Sequence, residues 1–218
     1  MDKNEILARV DHTLLKPYAS WEEIKQLCLE AIENKTASVC VPPCYTARVK
    51  KEFGDKIRIC VVIGFPLGYS VTSAKIEEAR AAIEDGADEV DMVINITDVK
   101  NGDFDKVTDE IKAIKKCIGN KVLKVIIETC YLTQDEKIAL CKAVTEAKAD
   151  YIKTSTGFGT GGATIEDVRL FKEHIGPDVK IKASGGIRTI EDMERFILEG
   201  SSRLGTSSAI KLFEQEKK

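Results

Sequence analysis

Two lysines in the second half of the chain lie in segments typical of β-strands, where a charged amine is unusual. Lys153 belongs to the segment YIKTSTGF, and Lys182 belongs to VKIKASGG. Strands favour β-branched and aromatic residues, and both burial and a second nearby cation disfavour the charged form of an amine. A close pair of lysines can therefore make one of them a neutral nucleophile toward a carbonyl group. A third segment, EVDMVIN, supplies Asp91 as a carboxylate that could move protons.

A second group of residues indicates an anion site. Three segments in the last third of the chain end in glycine-rich turns, and the last of these turns opens the final predicted helix. Such turns expose backbone N–H groups, which bind phosphate together with hydroxyl and guanidinium side chains. One such turn alone is a weak signal, but three together predict a phosphate site. Its candidate residues are Thr156, Gly157, Gly185, Gly186, Arg188, Gly205, Ser207 and Ser208.

These residues lie on a repeating pattern in which a short β-rich run is followed by an amphipathic helix. Two of the helices begin with a capping box, at Ser20 to Glu23 and at Thr133 to Glu136. The alternation predicts eight strands and eight helices. The strand segments are 8–12, 36–41, 58–64, 89–95, 123–129, 151–158, 179–186 and 203–208.

Eight alternating units predict a (β/α)8 TIM barrel, formed by a single domain over residues 1–218. The alternative is a doubly wound open sheet, which shares the alternation but leaves edge strands that need cover. In a barrel the apolar residues of each strand face the helices, so the polar residues between them must face the lumen. A buried salt-bridge network is the alternative explanation for Lys124 and Glu128. The polar residues expected to converge are Asp91, Lys124, Glu128, Lys153 and Lys182.

Composition narrows the class of protein further. The 33 basic and 36 acidic residues give a net charge of −3, so no bulk charge favours nucleic acid or an anionic membrane. The first ten residues lack the apolar core of a signal peptide, and no apolar run could span a bilayer, which predicts a cytoplasmic protein. Two histidines and seven scattered cysteines predict reduced thiols rather than disulfides or a zinc site.

The motifs that carry these residues resemble the deoxyribose-phosphate aldolases, class I aldolases that act through a Schiff base on a TIM barrel. The resemblance covers nearly the whole chain and rests on DHTLL, FPLG, GADEVDMVIN, KVIIET, YIKTSTGF and KASGGIR. It implies that Lys153 forms the Schiff base, that Lys182 tunes it, and that Asp91 relays protons. It also implies that Thr13, Cys40 and Lys124 line the substrate pocket. His12 is expected to be a hydrogen-bonding loop residue rather than a catalyst.

The reaction implied by the resemblance is the reversible cleavage of 2-deoxy-D-ribose 5-phosphate to D-glyceraldehyde 3-phosphate and acetaldehyde. The expected partner is a small phosphosugar, with no cofactor and no metal, and the expected assembly is a homo-oligomer, dimer or tetramer. The chain ends in EQEKK, without the longer tyrosine-bearing tail of some members, so water is expected to assist proton transfer. A sugar-phosphate isomerase or epimerase, or a non-catalytic phosphosugar-binding barrel, remains the alternative.

Overall fold

Eight parallel strands form the centre of the molecule and close into a barrel. The computed structural model describes residues 1–215. Each strand pairs with the next along the chain, and β8 pairs with β1, so no sheet edge is left. This confirms the (β/α)8 TIM barrel and excludes the open sheet. The strands are β1 Val10–Thr13, β2 Ser38–Val41, β3 Ile59–Ile63, β4 Glu89–Val93, β5 Val122–Ile126, β6 Tyr151–Lys153, β7 Lys180–Ser184 and β8 Arg203–Thr206.

Helices connect the strands and cover the outside of the barrel. The two predicted capping boxes are present, since Ser20 and Glu23 bond each other's backbone N–H, as do Thr133 and Glu136. Two 3-10 turns, Pro43–Tyr45 and Thr129–Tyr131, follow β2 and β5. The α-helices are α1 Lys3–Leu7, α2 Trp21–Glu33, α3 Thr46–Phe53, α4 Thr72–Glu84, α5 Ile96–Lys100, α6 Phe104–Ile118, α7 Gln134–Glu146, α8 Ile165–His174, α9 Ile190–Glu199 and α10 Ala209–Gln215.

Two short helices are not predicted by the eight-unit pattern. Helix α1 precedes β1, and its N-cap Asp2 forms a capping box with Glu5. Helix α5 follows β4, where Asn95 caps it by accepting a hydrogen bond from the N–H of Thr97. Each helix has five residues, which is too short for a helical repeat of apolar positions to stand out in the sequence.

Strand alternation divides the side chains as predicted. On β4, Val90 and Met92 belong to the apolar core between sheet and helices, whereas Glu89 and Asp91 are buried in the lumen. Lys153 and Lys182 are register partners on β6 and β7. The lumen is therefore the polar interior of an apolar shell, and it brings charged groups from distant parts of the chain together.

The structure corrects several boundaries. The sixth strand is Tyr151–Lys153 rather than 151–158, and the residues after it lead to α8. The first strand begins at Val10 rather than at residue 8, and it includes His12, which is thus a strand residue and not a loop residue. The ring of His12 does form a hydrogen bond, with Nε2 lying 2.9 Å from Oε2 of Glu30.

Two predictions concern the whole chain: that its cysteines are reduced, and that it forms a single domain. All seven cysteines are free, and four of them are buried. That residues 1–218 form one domain stays a prediction, because residues 216–218 lie outside the described residues. The prediction drawn from the EQEKK end, that water assists proton transfer, concerns partly the same residues.

Candidate active site

The centre of the candidate site is the carboxylate of Asp91, which is fully buried in the lumen. Its Oδ2 accepts hydrogen bonds from the Nζ atoms of Lys153 and Lys182, each at 2.6 Å. Its Oδ1 accepts from Nζ of Lys124 at 2.9 Å and lies 3.1 Å from Sγ of Cys60. Three of the residues predicted to do chemistry therefore meet at one oxygen atom.

A second layer of charges lies against this cluster. Lys182 also contacts Oδ2 of Asp11 at 2.5 Å, and Lys124 contacts Oε2 of Glu89 at 2.5 Å. The guanidinium of Arg203 bonds Oδ1 of Asp11 at 2.6 Å and Oε2 of Glu89 at 3.0 Å. These partners are separated by as many as 192 residues in the chain, so only closure of the barrel brings them together.

This network holds one more basic group than it holds carboxylates. The basic side chains are Lys124, Lys153, Lys182 and Arg203, and the carboxylates are Asp11, Glu89 and Asp91. A buried net charge is unfavourable, so release of one proton from this set would be favoured by burial. The alternative of a structural salt-bridge network applies well to Lys124, whose ammonium touches three carboxylates.

The neighbours of each group determine which charges are fixed. Burial alone would raise the pKa of Asp91, but the ammonium groups of Lys124, Lys153 and Lys182 outweigh it and hold that pKa well below its usual range. Burial alone would lower the pKa of Lys182, but Asp11 and Asp91 hold it above its usual range. Lys124 is shifted in the same direction by the same kind of contacts. At neutral pH, Asp91 is therefore ionised and Lys182 is protonated.

The arrangement differs in one respect from the predicted lysine pair. The sequence suggested that Lys182 acts directly on Lys153 as a neighbouring cation. In the structure the carboxylate of Asp91 lies between them and bonds both amines. A shared acceptor atom connects the two lysines by hydrogen bonds, which provides a route for a proton as well as an electrostatic influence.

A pocket of about 290 Å³ opens beside Lys153 at the ends of the strands. No lumen carboxylate lines it, and of the lumen amines described, Lys153 alone reaches it. Among the predicted site residues, eight line this pocket. They are Thr13, Lys153, Thr156, Gly157, Gly185, Gly186, Gly205 and Ser207.

The remaining predicted residues are not on the pocket wall. Cys40 and Lys124 are buried inside the barrel, as are Asp91 and Lys182. Arg188 is exposed, and its backbone N–H bonds the carboxylate of Asp192.

Two more predicted residues, Ser208 and Glu128, lie beyond the ends of their strands. Ser208 does not line the pocket, and its hydroxyl oxygen lies 3.1 Å from that of Thr206. Glu128 was expected in the lumen with Lys124, but it lies beyond the end of β5 and bonds Thr156. The expectation that it joins the lysine cluster is therefore wrong.

Several wall residues were not identified from the sequence. Lys16, in the loop after β1, is an exposed cation on the pocket wall, and Phe158 follows Gly157 on another part of it. The ring of Phe158 packs edge to face with that of Phe65, with centroids 5.3 Å apart. Position just after a strand end is a signal that could have identified Lys16 and Phe158. The others are Leu14 and Leu15, and the wall also includes Ser184, Ile187 and Thr206, which belong to the glycine-rich turns predicted to bind phosphate.

The cluster around Asp91 also has the composition of a metal site, since Cys40, Cys60 and Asp91 place their ligand atoms within 4.8 Å of one another. Both oxygens of Asp91 already accept hydrogen bonds from ammonium groups, however, and the nearest of these to Cys60 is Lys124, at 3.3 Å from Sγ. A metal cation would meet three positive charges there, so the residues fit proton transfer better than metal binding.

Comparison with known proteins identifies the class to which this fold and site belong. The sequence model described as DeoC/LacD family aldolase matches residues 6–208. The chain is a member of this aldolase family. A solved structure described as QR15, an aldolase, superimposes with a TM-score of 0.92 at 40% identity, over 97% of this chain and 96% of that one.

Within this class, the relatives are deoxyribose-phosphate aldolases. One from Clostridium botulinum is 65% identical over 99% of this chain and 98% of the relative, and one from Clostridioides difficile is 60% identical over 97% and 96%. The deoxyribose phosphate aldolase of Aeropyrum pernix has a TM-score of 0.89 at 32% identity, over 99% and 92%. The isomerase, epimerase and non-catalytic alternatives are not favoured by these relatives. Within residues 1–215, no helix has the length and apolar character needed to cross a membrane.

Proposed function

We propose that this protein is a class I aldolase that reversibly cleaves 2-deoxy-D-ribose 5-phosphate to D-glyceraldehyde 3-phosphate and acetaldehyde. The names of its relatives support this substrate. The observation that carries the proposal is the position of Lys153. Its amine lies at the pocket and at the same time bonds the buried carboxylate of Asp91.

The first step is attack of the neutral Lys153 amine on the C1 aldehyde of the open-chain sugar. Lys153 is the one lysine of the network that lines the pocket, whereas the carboxylate partners of Lys124, Lys182 and Arg203 raise the pKa of each of those groups. The released proton passes by way of Asp91 or through water. Loss of water from the carbinolamine gives an iminium ion, which withdraws electrons from the sugar chain.

Cleavage follows from that electron withdrawal. A base removes the proton from the C3 hydroxyl, the bond between C2 and C3 breaks, and its electron pair moves into the iminium to form an enamine. Carbon 3 becomes the aldehyde of D-glyceraldehyde 3-phosphate. Oδ2 of Asp91 accepts hydrogen bonds from both Lys153 and Lys182. Asp91 and Lys182 relay the proton through water to C2 of the enamine, and hydrolysis then releases acetaldehyde.

The glycine-rich turns supply the phosphate end of the pocket. Gly157, Gly185, Gly186 and Gly205 lie on its wall with Ser207, so their backbone N–H groups and the hydroxyl can bind the phosphate oxygens. Arg188 and Ser208 do not line the wall and stay candidates for contact with the phosphate from the ends of these turns. Holding the phosphate fixes the distance between the C1 aldehyde and Lys153.

We further propose that the protein forms a homo-oligomer, dimer or tetramer, and acts in the cytoplasm. The relative from Aeropyrum pernix is described as tetrameric. Light scattering of the purified protein during size-exclusion chromatography measures the mass of the particle, and a mass of one chain would contradict an oligomer.

The experiment that tests the proposed reaction is an assay of acetaldehyde release from 2-deoxy-D-ribose 5-phosphate, coupled to reduction by NADH and alcohol dehydrogenase. The wild type is expected to release acetaldehyde and Lys153→Ala to release none. Lys180→Ala is a matched control, because Lys180 lies on β7 but is exposed and does not line the pocket. No release by the wild type, or undiminished release by Lys153→Ala, would contradict the proposal.

A further inference from the structure

Glu128 has an unusual backbone conformation just beyond the paired ends of β5 and β6, where it precedes the 3-10 turn Thr129–Tyr131. It follows the end of β5 with φ 53° and ψ 68°, in the left-handed region. Backbone hydrogen bonds continue on both sides of it, from the N–H of Ile127 to the carbonyl oxygen of Lys153 at the end of β6, at 3.1 Å, and from the N–H of Thr129 to that of Thr154, the next residue, at 2.9 Å. The chain therefore turns at Glu128 while its neighbours stay paired.

This conformation is not explained by a helix end. Of the other non-glycine residues with positive φ among residues 1–215, Lys35 and Lys148 each follow the C-cap of a helix, where a left-handed residue is common. A glutamate in this region is disfavoured by contact between its Cβ and the following carbonyl oxygen. Such strain is concentrated at functional sites, where it directs a side chain to a required place.

The side chain that this turn directs is a buried carboxylate. Glu128 is 2% exposed, and within the described part of the chain it forms no ion pair. It accepts hydrogen bonds instead from the backbone N–H of Thr156, at 3.2 Å to Oε1, and from the hydroxyl of Thr156 to Oε2. The thiol of Cys130 lies 4.0 Å from Oε1. The loop packs closely here, since a Cβ at Gly159 would lie 3.1 Å from Cδ of Glu128.

These contacts determine how Thr156 can bond a ligand. A threonine hydroxyl has one hydrogen to donate and two lone pairs that accept. The hydrogen of Thr156 points to Glu128, and one lone pair accepts from the N–H of Phe158 at 3.0 Å. Thr156 lines the pocket beside Lys153. The hydroxyl thus has one lone pair and no hydrogen left for a bound molecule, and it can only accept.

We propose that Glu128 is a positioning residue, which fixes the Thr156 hydroxyl as a hydrogen-bond acceptor and so selects a hydroxyl group of the bound sugar. This inference rests on the proposed function, because the sugar is the ligand that the pocket takes. A sugar hydroxyl donates to Thr156, and a group that can only accept, such as a carbonyl or ether oxygen, finds no donor there. Glu128 acts on the substrate through Thr156 and does not touch it.

The charge state of Glu128 supports this role. Burial raises the pKa of Glu128 above its usual range, and the bonds from Thr156 and the charge of Lys153 oppose that shift only in part. The groups facing the carboxyl are Lys153 on β6, the thiol of Cys130 and Thr156. When the carboxyl takes a proton, it no longer needs the hydrogen of Thr156, which is then free to turn toward the pocket. As the pH falls, sugar binding should therefore weaken at a higher pH than it would if the carboxyl of Glu128 had the pKa of an exposed glutamate.

The experiment is a double-mutant cycle with Glu128→Gln and Thr156→Val, read as KM and kcat for 2-deoxy-D-ribose 5-phosphate. Glutamine can donate to the Thr156 oxygen and so reverse its role. We expect Glu128→Gln to raise KM about ten- to a hundredfold, the range for a lost hydrogen bond to a charged group, with kcat within about threefold. The double variant should be no worse than Thr156→Val alone, and Thr156→Ser should keep most of the affinity.

The matched control is Glu110→Gln. Glu110 is another buried glutamate, 4% exposed, that bonds a lysine and a threonine, Lys75 at 2.9 Å and Thr72 at 3.3 Å, but it lies on α6 outside the barrel. It is expected to lower thermal stability without changing KM. Additive losses in the cycle, or a loss in kcat with KM unchanged, would overturn the proposal, as would a change in KM equal to that of Glu110→Gln.

A binding measurement separates this inference from the proposed function. The dissociation constant of 2-deoxy-D-ribose 5-phosphate is measured by calorimetry for the wild type, Glu128→Gln and Thr156→Val. If the wild type binds the sugar but releases no acetaldehyde, the proposed reaction fails while weaker binding by Glu128→Gln still supports the role of Glu128. Equal dissociation constants for wild type and Glu128→Gln overturn that role whatever the activity.

Discussion

Replacing Asp91 by asparagine tests whether one carboxylate holds the charged lumen together. The change keeps the shape of the side chain and removes its negative charge. Four basic groups would then face only the carboxylates of Asp11 and Glu89, and one neutral amide oxygen would be left to accept from the three ammonium groups that now contact Asp91. The structure therefore predicts a cost in stability and a cost in catalysis, which have different causes.

The size of the stability cost follows from burial. Asp91 is fully buried and contacts three ammonium groups at 2.6, 2.6 and 2.9 Å. Removing one partner from a buried ion pair destabilises a protein by about 3–5 kcal/mol, and we expect Asp91→Asn to lower the free energy of unfolding by about this amount at neutral pH. Loss of the proton relay should lower kcat by about 10²- to 10⁴-fold.

The directions of the pKa shifts determine the pH range in which Asp91 and Lys182 stabilise the fold. Because the pKa of Asp91 is lowered by folding, its contribution is complete above the carboxyl's ordinary value of 3.8 and is lost as the pH falls toward the folded value. Lys182 has a raised pKa, so its contribution is complete below its ordinary value of 10.5 and is lost as the pH rises through the folded value. The difference between wild type and Asp91→Asn should thus be largest between these limits and shrink in acid.

The assay is urea unfolding at several pH values, followed by circular dichroism, together with steady-state acetaldehyde release. Glu110→Gln again serves as the control, because it disturbs a buried ion pair of α6 and should cost stability with activity retained. An Asp91→Asn protein that unfolds at the wild-type urea concentration, or that keeps kcat within about threefold, would refute the reasoning from the shared carboxylate.

Two further predictions concern the pocket wall. Lys16 is an exposed cation on that wall, so Lys16→Met is expected to raise KM for the phosphorylated sugar about tenfold with kcat unchanged. The turnover of unphosphorylated 2-deoxyribose should not change. An equal effect on both sugars would contradict a phosphate contact. Gly205→Ala would place a methyl group 3.2 Å from Cε of Lys182 and 2.9 Å from Cβ of Ser184. Steady-state kinetics should show kcat reduced up to about a hundredfold, and an unchanged kcat would show that Lys182 need not stay in place.

The sequence was most informative where strand alternation decides the answer. Asp91, Lys153 and Lys182 could be placed in one lumen because a period of two residues assigns each strand position to one face. The same rule failed at Glu128, since the left-handed backbone there breaks the alternation that it assumes. Glutamate is not a residue type that predicts a left-handed backbone, so the sequence carries no signal of this turn.

Other parts of the site depend on tertiary and helix-capping contacts that cannot be read from the order of residues in the chain. The bond between Arg203 and Asp11 joins the last strand to the first and exists only because the barrel closes. Arg188 is predicted to bind phosphate because it follows a glycine pair, and this stays a prediction. Its backbone N–H bonds Asp192 at the start of α9, and the residue is exposed. Loop direction is fixed by such capping contacts, which cannot be derived from composition.

The central claim is that Lys153 forms the covalent bond to the substrate. The most direct measurement is reduction with sodium borohydride in the presence of acetaldehyde, followed by mass spectrometry of proteolytic peptides. Reduction of the iminium leaves an ethyl group on the amine, and we expect it on Lys153 alone, with Lys153→Arg unmodified and Lys180→Ala modified like the wild type. An ethyl group on Lys182 or Lys124 in place of Lys153, or on no lysine, would contradict the account.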